Sequence, residues 1–322
     1  HEAFVLESTE AKEIIKVDPK SRQVILPYII GRDLLAESQG KPTRYVIDFN
    51  ELDIITAQQY KTAFKRIHDL VLPVREEKAR AEATQNAKAT NANEKAVINT
   101  SHQQILTEWW KHTAKRNEMT VELRKLTRYI VCSRLTKRPV FEFLQTTIRP
   151  SDLVQVFAFD DDYTFGILQS NAHWEWFKAK ASTLKSDYRY TPHSVFDTFP
   201  FPQQPNAKAV KAVADAGRAL HEWRRERMAK DKTLTLRNLY RSLEQPGKNP
   251  LKDLHAALDK AVMDAYGFDA AGDVLAQLLA LNHQVAARID NKEPVTAPGI
   301  PADYPNPAEL VSEGCITPPE LI

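Results

Sequence analysis

Glycine is scarce in this chain, with nine among 322 residues, and no two lie closer than five positions apart. That spacing excludes a Gly-x-Gly turn, so no backbone loop here is built to approach a cofactor's phosphates or methionyl group, which excludes a Rossmann-type cofactor half. Cysteine is scarcer still. Cys132 and Cys315 are too few and too far apart for a disulfide framework, and they suit a reducing compartment, so a cytoplasmic protein is expected. No apolar run approaches the ~18 residues of a membrane span, and no signal-peptide pattern opens the chain, so no membrane partner is expected. The nine histidines show no ligand spacing with Cys, Asp or Glu, so no metal is expected. There is no Ser-centred nucleophile elbow either. These absences together point to a binding module rather than an enzyme.

Charge is uninformative in bulk, at +2, but uneven along the chain. Between Lys111 and Arg149 stand ten Lys/Arg against three Glu, while from Asp290 onward six acids face Lys292 alone. A basic middle with an acidic end fits a surface that meets a polyanion; a solvated charged helix is the equal rival.

The periodicity predicts an α+β fold. Phe4–Leu6 reads as extended, followed by a short helix with Ala11, Ile14 and Ile15 on one face. Val24–Leu26 reads as a strand ended by Pro27, and Arg44–Phe49 alternates as a strand. Residues 56–81 read as a helix broken near Pro73, and residues 75–100 as an exposed helix or a mobile insertion with little to bury. Trp109 and Trp110 read as core residues. Strands follow at Tyr129–Cys132, Val140–Phe143, Val154–Phe157 and Tyr163–Ile167, with Asp160, Asp161 and Asp162 read as the hairpin turn between the last two. His173, beside Trp174, reads as a packed histidine. Beyond Pro202 the period becomes helical: Val210, Val213, Leu220 and Trp223; then Leu251, Leu254, Leu258, Val262 and Ala265, stopped by Gly267; then Val274 through Val285.

Three segments carry a resemblance in their order and spacing: LPYIIGRD at 26–33 with RYVIDF at 44–49; FGILQS at 165–170 with YRYTP at 188–192 and VFDTFPFP at 195–202; and LHAALD at 254–259 with AYGF at 265–268. Together they resemble the C-terminal half of MmeI-like adenine-N6 DNA methyltransferases of bacterial restriction-modification and phage-defence systems. The resemblance implies a mixed strand/helix target-recognition domain over 1–205, with a long helical insertion at about 56–126. It also agrees with the small all-α domain that the helical period gives over 206–290; the tail at 291–322, beyond the resemblance, is Pro-rich and acidic and expected to be poorly ordered. The family's catalytic Asn-Pro-Pro-Tyr-type motif is not matched: Asn249-Pro250 and Asn306-Pro307 lack the second proline and the aromatic. The resemblance therefore implies sequence-specific duplex-DNA recognition by a chain without methyl-transfer chemistry. S-adenosylmethionine would be the cofactor of the full-length enzyme, and the methyltransferase catalytic domain and other defence-system proteins would be partners. A non-specific nucleic-acid clamp and a protein-assembly or regulatory module are the alternatives.

The expected DNA contacts are Arg134, Lys137 and Arg138 in one turn, Arg149 in another, and Lys178, Lys180, Lys185, Tyr188 and Arg189 around the YRY segment. Arginine forks suit guanine edges or phosphates, and single lysines suit phosphates.

Overall fold

The computed structural model describes residues 2–93, 95–184 and 187–321, and the fold is α+β. In chain order it begins β1 (Val5–Glu7), α1 (Ser8–Val17), β2 (Ile25–Ile29), α2 (Gly31–Ala36) and β3 (Arg44–Ile47). Helices α3 (Ile54–Gln58), α4 (Lys61–Ala92), α5 (Ser101–Thr107) and α6 (Asn117–Leu123) follow. Then come β4 (Arg128–Ser133), β5 (Leu135–Thr136), β6 (Glu142–Gln145), β7 (Arg149–Pro150) and β8 (Val154–Phe157). Next are α7 (Asp162–Gln169), α8 (Asn171–Lys180), β9 (Ser182–Leu184), β10 (Asp187–Arg189) and α9 (Pro192–Val195). Helices α10 (Ala207–Lys230), α11 (Leu236–Arg241), α12 (Pro250–Tyr266) and α13 (Val274–Asp290) complete the order. The chain forms two compact units, one of residues 1–28, 43–121 and 319–322, the other of 29–42 and 122–318.

In the first unit β3 lies between β1 and β2, antiparallel to both, with Leu6 and Leu26 placed opposite Tyr45 and Val46. Pairing runs through Pro27 to Tyr28, opposite Arg44, so the proline does not end the strand as its sequence suggested. Proline's fixed φ is compatible with a strand, and only alternate residues face a given neighbour, so one missing N–H leaves the ladder standing. Helix α1 buries Ala11, Ile14 and Ile15 as its spacing predicts. They share a core with Phe4, Leu6, Ile25, Ile47, Phe49, Ile67, Val71 and Trp110. The Trp110 indole N–H donates to the Leu52 carbonyl at 3.0 Å.

Helix α4 is not broken at Pro73. The proline is exposed, so the carbonyl it leaves without an N–H partner one turn earlier is open to water. One stripe of α4 is buried as far as Glu82, namely Ala63, Ile67, Val71, Arg75, Ala79 and Glu82, and the last ten residues bury none. Its chemistry changes halfway. After Val71 the contacts become polar: Arg75 Nη1 donates to the Trp109 carbonyl at 2.9 Å. The Glu82 carboxylate accepts the N–H groups of His102 and Gln103 at the start of α5, at 3.0 Å each. Burial pushes the Glu82 carboxyl up, but these backbone donors outweigh it and hold it below the ordinary value.

The second unit is built on β4, whose residues are all buried between β6 and β8. Ile130 faces Phe143 on one side and Phe157 on the other. The segment read as a fourth strand, Tyr163–Ile167, is instead the fully buried helix α7. Asp161 is its N-cap, accepting the Thr164 N–H at 2.6 Å and the Thr164 hydroxyl at 2.9 Å. The Asp160–Asp162 run is thus a helix start and not a hairpin turn. A short apolar stretch buried on every side has no periodicity to separate helix from strand. Helix α7 packs against α10 at two glycines: a Cβ on Gly217 would stand 2.9 Å from the Asp162 carbonyl and 3.1 Å from the Gly166 Cα.

Helices α10, α12 and α13 form where the periodicity places them, and Gly267 closes α12 with φ 66°. Their apolar faces belong to the same core as the β4 sheet, with Val213, Leu220, Leu258 and Leu278 joined to Ile130, Phe143 and Phe165. The acidic tail departs from its expected looseness. Ile316 takes a place beside β6, its N–H on the Phe143 carbonyl at 2.8 Å and its carbonyl accepting the Gln145 N–H at 3.0 Å. Tyr304, Leu310 and Ile316 are buried.

Candidate nucleic-acid interface

Part of the basic run is spent on partners within the protein. Lys111 pairs with Glu108 at 2.7 Å, and Lys115 pairs with the same carboxylate. Arg128 is 1% exposed. Its Nη2 meets Asp162 at 2.7 Å, its Nη1 reaches the Gly314 carbonyl at 2.7 Å, and its guanidinium lies 3.5 Å over the Phe143 ring. Glu142 is equally internal, bonded to His221 Nε2 and 3.5 Å from Arg224. Burial pushes the Glu142 carboxyl up, yet His221 and Arg224 outweigh it and hold it near 2. The His221 Nδ1 has no partner among the described residues, and burial takes the His221 ring below its ordinary value against the opposing pull of Glu142.

Of the exposed cations, Arg116, Arg124 and Lys125 lie around α6, and a second group gathers at the small sheet of β5, β10 and β9. Strand β10 runs antiparallel to β5, placing Tyr188 opposite Thr136 and Arg189 opposite Leu135. This registry joins two segments some fifty residues apart in sequence and brings Arg134, Lys137 and Arg138 beside Tyr188 and Arg189. The turn after β5 is tied by Thr136, whose hydroxyl donates to the Arg138 carbonyl at 2.6 Å. Lys137 stands exposed at its tip and Arg189 is exposed on β10. Neither makes an ion pair among the described residues.

The other candidates are more engaged. Arg138 lies over the rings of Trp174 and Tyr240, at 5.7 and 5.6 Å. The Tyr240 hydroxyl is shared with Arg224 at 2.9 Å and His255 at 3.1 Å. Burial, then the charges of Arg138 and Arg224, take His255 down to about 3. Tyr188 packs against Phe177 and Trp174 at 5.5 and 6.4 Å between ring centres. Lys178 is paired with Glu175 and lies 5.5 Å from Trp174, and Lys180 lies 4.9 Å over Trp176. Arg134 donates to the Asp152 carbonyl at 3.0 Å. Arg149 stands on β7, outside this sheet, with Nη1 on the Thr146 carbonyl at 3.2 Å. Lys185 lies outside the described residues.

Residue type marks the cations and Tyr188 in the sequence, but not the Trp174, Phe177 and Tyr240 rings packed against them. Trp174 and Phe177 are spaced for one face of α8, a signal available in the sequence. Tyr240, about a hundred residues beyond Arg138, gave none. His173, read as packed, is fully buried, with Nε2 3.0 Å from the Tyr190 hydroxyl, and burial takes it to about 3.

The residues present do not fit S-adenosylmethionine: the sheets of the second unit are short and antiparallel, and its glycines stand at helix crossings and turns rather than in a ligand-facing loop. Among the described residues no three His, Cys, Asp or Glu side chains come together to hold a metal, and no helix is long and apolar enough to cross a membrane.

Residues 130–203 match the family described as "MmeI, target recognition domain". That stretch runs from β4 to the Phe201-Pro202 segment and contains the whole of the β5–β10–β9 sheet. The chain is 32% identical over 141 residues to DNA methyltransferase A of Bacillus subtilis (strain 168), covering 43% of this chain and 15% of that protein. It also shares its fold with a structure described as Type IIL restriction-modification enzyme MmeI in complex with DNA. There the TM-score is 0.66 at 21% identity, over 88% of this chain and 34% of that one. The chain thus carries an MmeI-like recognition region and spans only a minor part of the length of these relatives.

Proposed function

We propose that this chain reads duplex DNA in the cytoplasm as the target-recognition region of an S-adenosylmethionine-dependent, adenine-specific DNA methyltransferase of a restriction-modification or phage-defence system. The methyl-transfer chemistry would belong to a catalytic domain outside this chain. The observation that carries the reading is a coincidence of place. The segment that matches the MmeI target recognition domain holds the sheet on which Lys137, Arg138, Tyr188 and Arg189 meet.

The physical division of labour follows from each residue's freedom. Lys137 and Arg189, exposed and without an ion pair among the described residues, are suited to phosphates or a base edge. Arg138, held between two rings, has less entropy to lose on contact and can present its fork in a fixed direction. Phosphate contacts give affinity that falls steeply with salt, while a few side chains at base edges select the sequence. Methylating an adenine within a duplex requires the base to leave the stack, so the recognition region must hold DNA that is distorted nearby.

Charge-removing variants test the assignment. Lys137→Gln should weaken all duplexes about equally and make the salt dependence shallower by about one unit of log–log slope. Arg138→Lys keeps the charge but not the fork and should relax sequence preference more than it weakens binding. Variants that bind and discriminate like the parent would place the DNA surface elsewhere.

A further inference from the structure

A second basic surface lies in the helical part of the second unit. From Arg225 to Lys252 there are eight Lys/Arg against three acids. Two of the acids are already occupied: Glu226 stands 3.6 Å from Lys230, and Asp231 takes the Thr233 hydroxyl and N–H at 2.6 and 2.9 Å. Within this stretch is a groove of about 470 Å³ lined by Trp223, Arg227, Asn238, Ser242, Lys248 and Asn249, with Leu234, Leu239 and Pro250 completing its wall.

The groove has a fixed frame. Its loop, residues 245–249, is pinned at both ends: Lys252 Nζ donates to the Gln245 carbonyl at 2.6 Å, and Asn249 Nδ2 donates to the Ser242 carbonyl and hydroxyl at 3.2 and 3.0 Å. Gly247 makes the turn at φ 102°, which places Lys248 at the rim. Opposite, Arg227 leans on the Trp223 ring at 5.9 Å. Arg237 and Arg241 are exposed, one turn apart on α11, and make no ion pair among the described residues.

We propose that this groove is a phosphate-recognition site, with Arg227 and Lys248 as its cations, Asn238 as an amide donor and Trp223 as a flat wall for the attached sugar or base. A guanidinium, an ammonium and an amide at the rim of one largely apolar groove match the several oxygens of a phosphate, and the apolar wall suits an attached sugar or base better than a bare ion. The phosphate can be a duplex backbone phosphate or that of a free nucleotide. The first source rests on the proposed DNA recognition; the second does not.

The test is anisotropy of a labelled duplex across a salt series, with dAMP titrated calorimetrically in parallel, on the parent chain and on R227Q/K248Q. Lys260→Gln, on the exposed face of α12, is the control. If the groove holds backbone phosphate, the double variant loses about tenfold in affinity and about two units of log–log salt slope, with the control unchanged. If it holds a free nucleotide, duplex binding is unaltered, but the parent binds dAMP at least tenfold more tightly than the double variant. Duplex and dAMP binding both unchanged would overturn the site while leaving the DNA reading intact. A parent chain that binds dAMP through Arg227 and Lys248 but no duplex would leave the site and overturn that reading. Should the double variant fail to fold, K248Q alone should show about half the effect.

Discussion

Two helix pairings, one in each unit, are held by opposite means. Helices α4 and α5 meet through polar groups: Glu82 on the amides of α5, the Gln103 amide on the Ala79 carbonyl at 2.7 Å, and Asn86 with Asn99 at 2.6 and 3.0 Å. Helices α7 and α10 meet through glycine contacts and apolar packing, around a buried carboxylate that two arginines share. Arg128 reaches Asp162 at 2.7 Å and Arg218 reaches it at 2.9 Å. Net hydrogen bonds in partly wet surroundings contribute about 1 kcal/mol each. Close packing and fully buried ion pairs tolerate almost no change. The first pairing can open locally; the second holds the frame on which the candidate interface stands.

The largest effect should come from removing the shared carboxylate. Asp162→Ala leaves the Arg128 guanidinium buried without its partner and should cost about 3–5 kcal/mol in urea unfolding. A loss below about 1 kcal/mol would mean the pairing is not the keystone of the α7–α10 frame. Gly217→Ala inserts a methyl 2.9 Å from a carbonyl and should cost about 1–3 kcal/mol. If that variant is as stable as the parent, the close approach of α7 and α10 is wrong.

Acid should separate the regions further. His173 and His255 are held near 3, against an ordinary 6.5, so the unfolded chain takes up their protons first. Their contribution is complete above pH 6.5 and is lost as pH falls from 6.5 toward 3, by about 2 kcal/mol per histidine at pH 5. Both sit in the second unit. Its tryptophan fluorescence should report a lower urea midpoint at pH 5 than at pH 7.5, and His255→Phe should reduce that difference. The smallest effect belongs to the polar pairing: Glu82→Gln should leave global stability within about 1 kcal/mol while hastening hydrogen exchange at His102 and Gln103. Unchanged exchange would show that α5 does not depend on that carboxylate.

The same contrast explains what was legible in the sequence. Amphipathic helices announce themselves, so α1, α10, α12 and α13 could be placed from Ile14, Val213, Leu258 and Leu278, and the Gly267 stop from its neighbours. Helix α7, apolar on every side, read as a strand because burial erases the period. The tail read as loose because Leu310 and Ile316 are isolated among prolines and acids; Ile316 is held by a sheet edge about 170 residues earlier, and Leu310 by the core of the second unit. For the candidate interface, residue type singled out Lys137, Arg138, Tyr188 and Arg189, while their meeting depends on the β5–β10 registry. Charge counting also swept in Arg128 and Glu142, which local sequence does not mark as internal.

The most direct test is selection of bound sequences from a randomised duplex pool by this chain, repeated across a salt series. Sequence recognition by this chain predicts enrichment of one short motif, with affinity falling steeply as salt rises. Salt-sensitive retention without enrichment would contradict sequence reading by this chain alone, and no retention at any salt would contradict DNA recognition by it altogether.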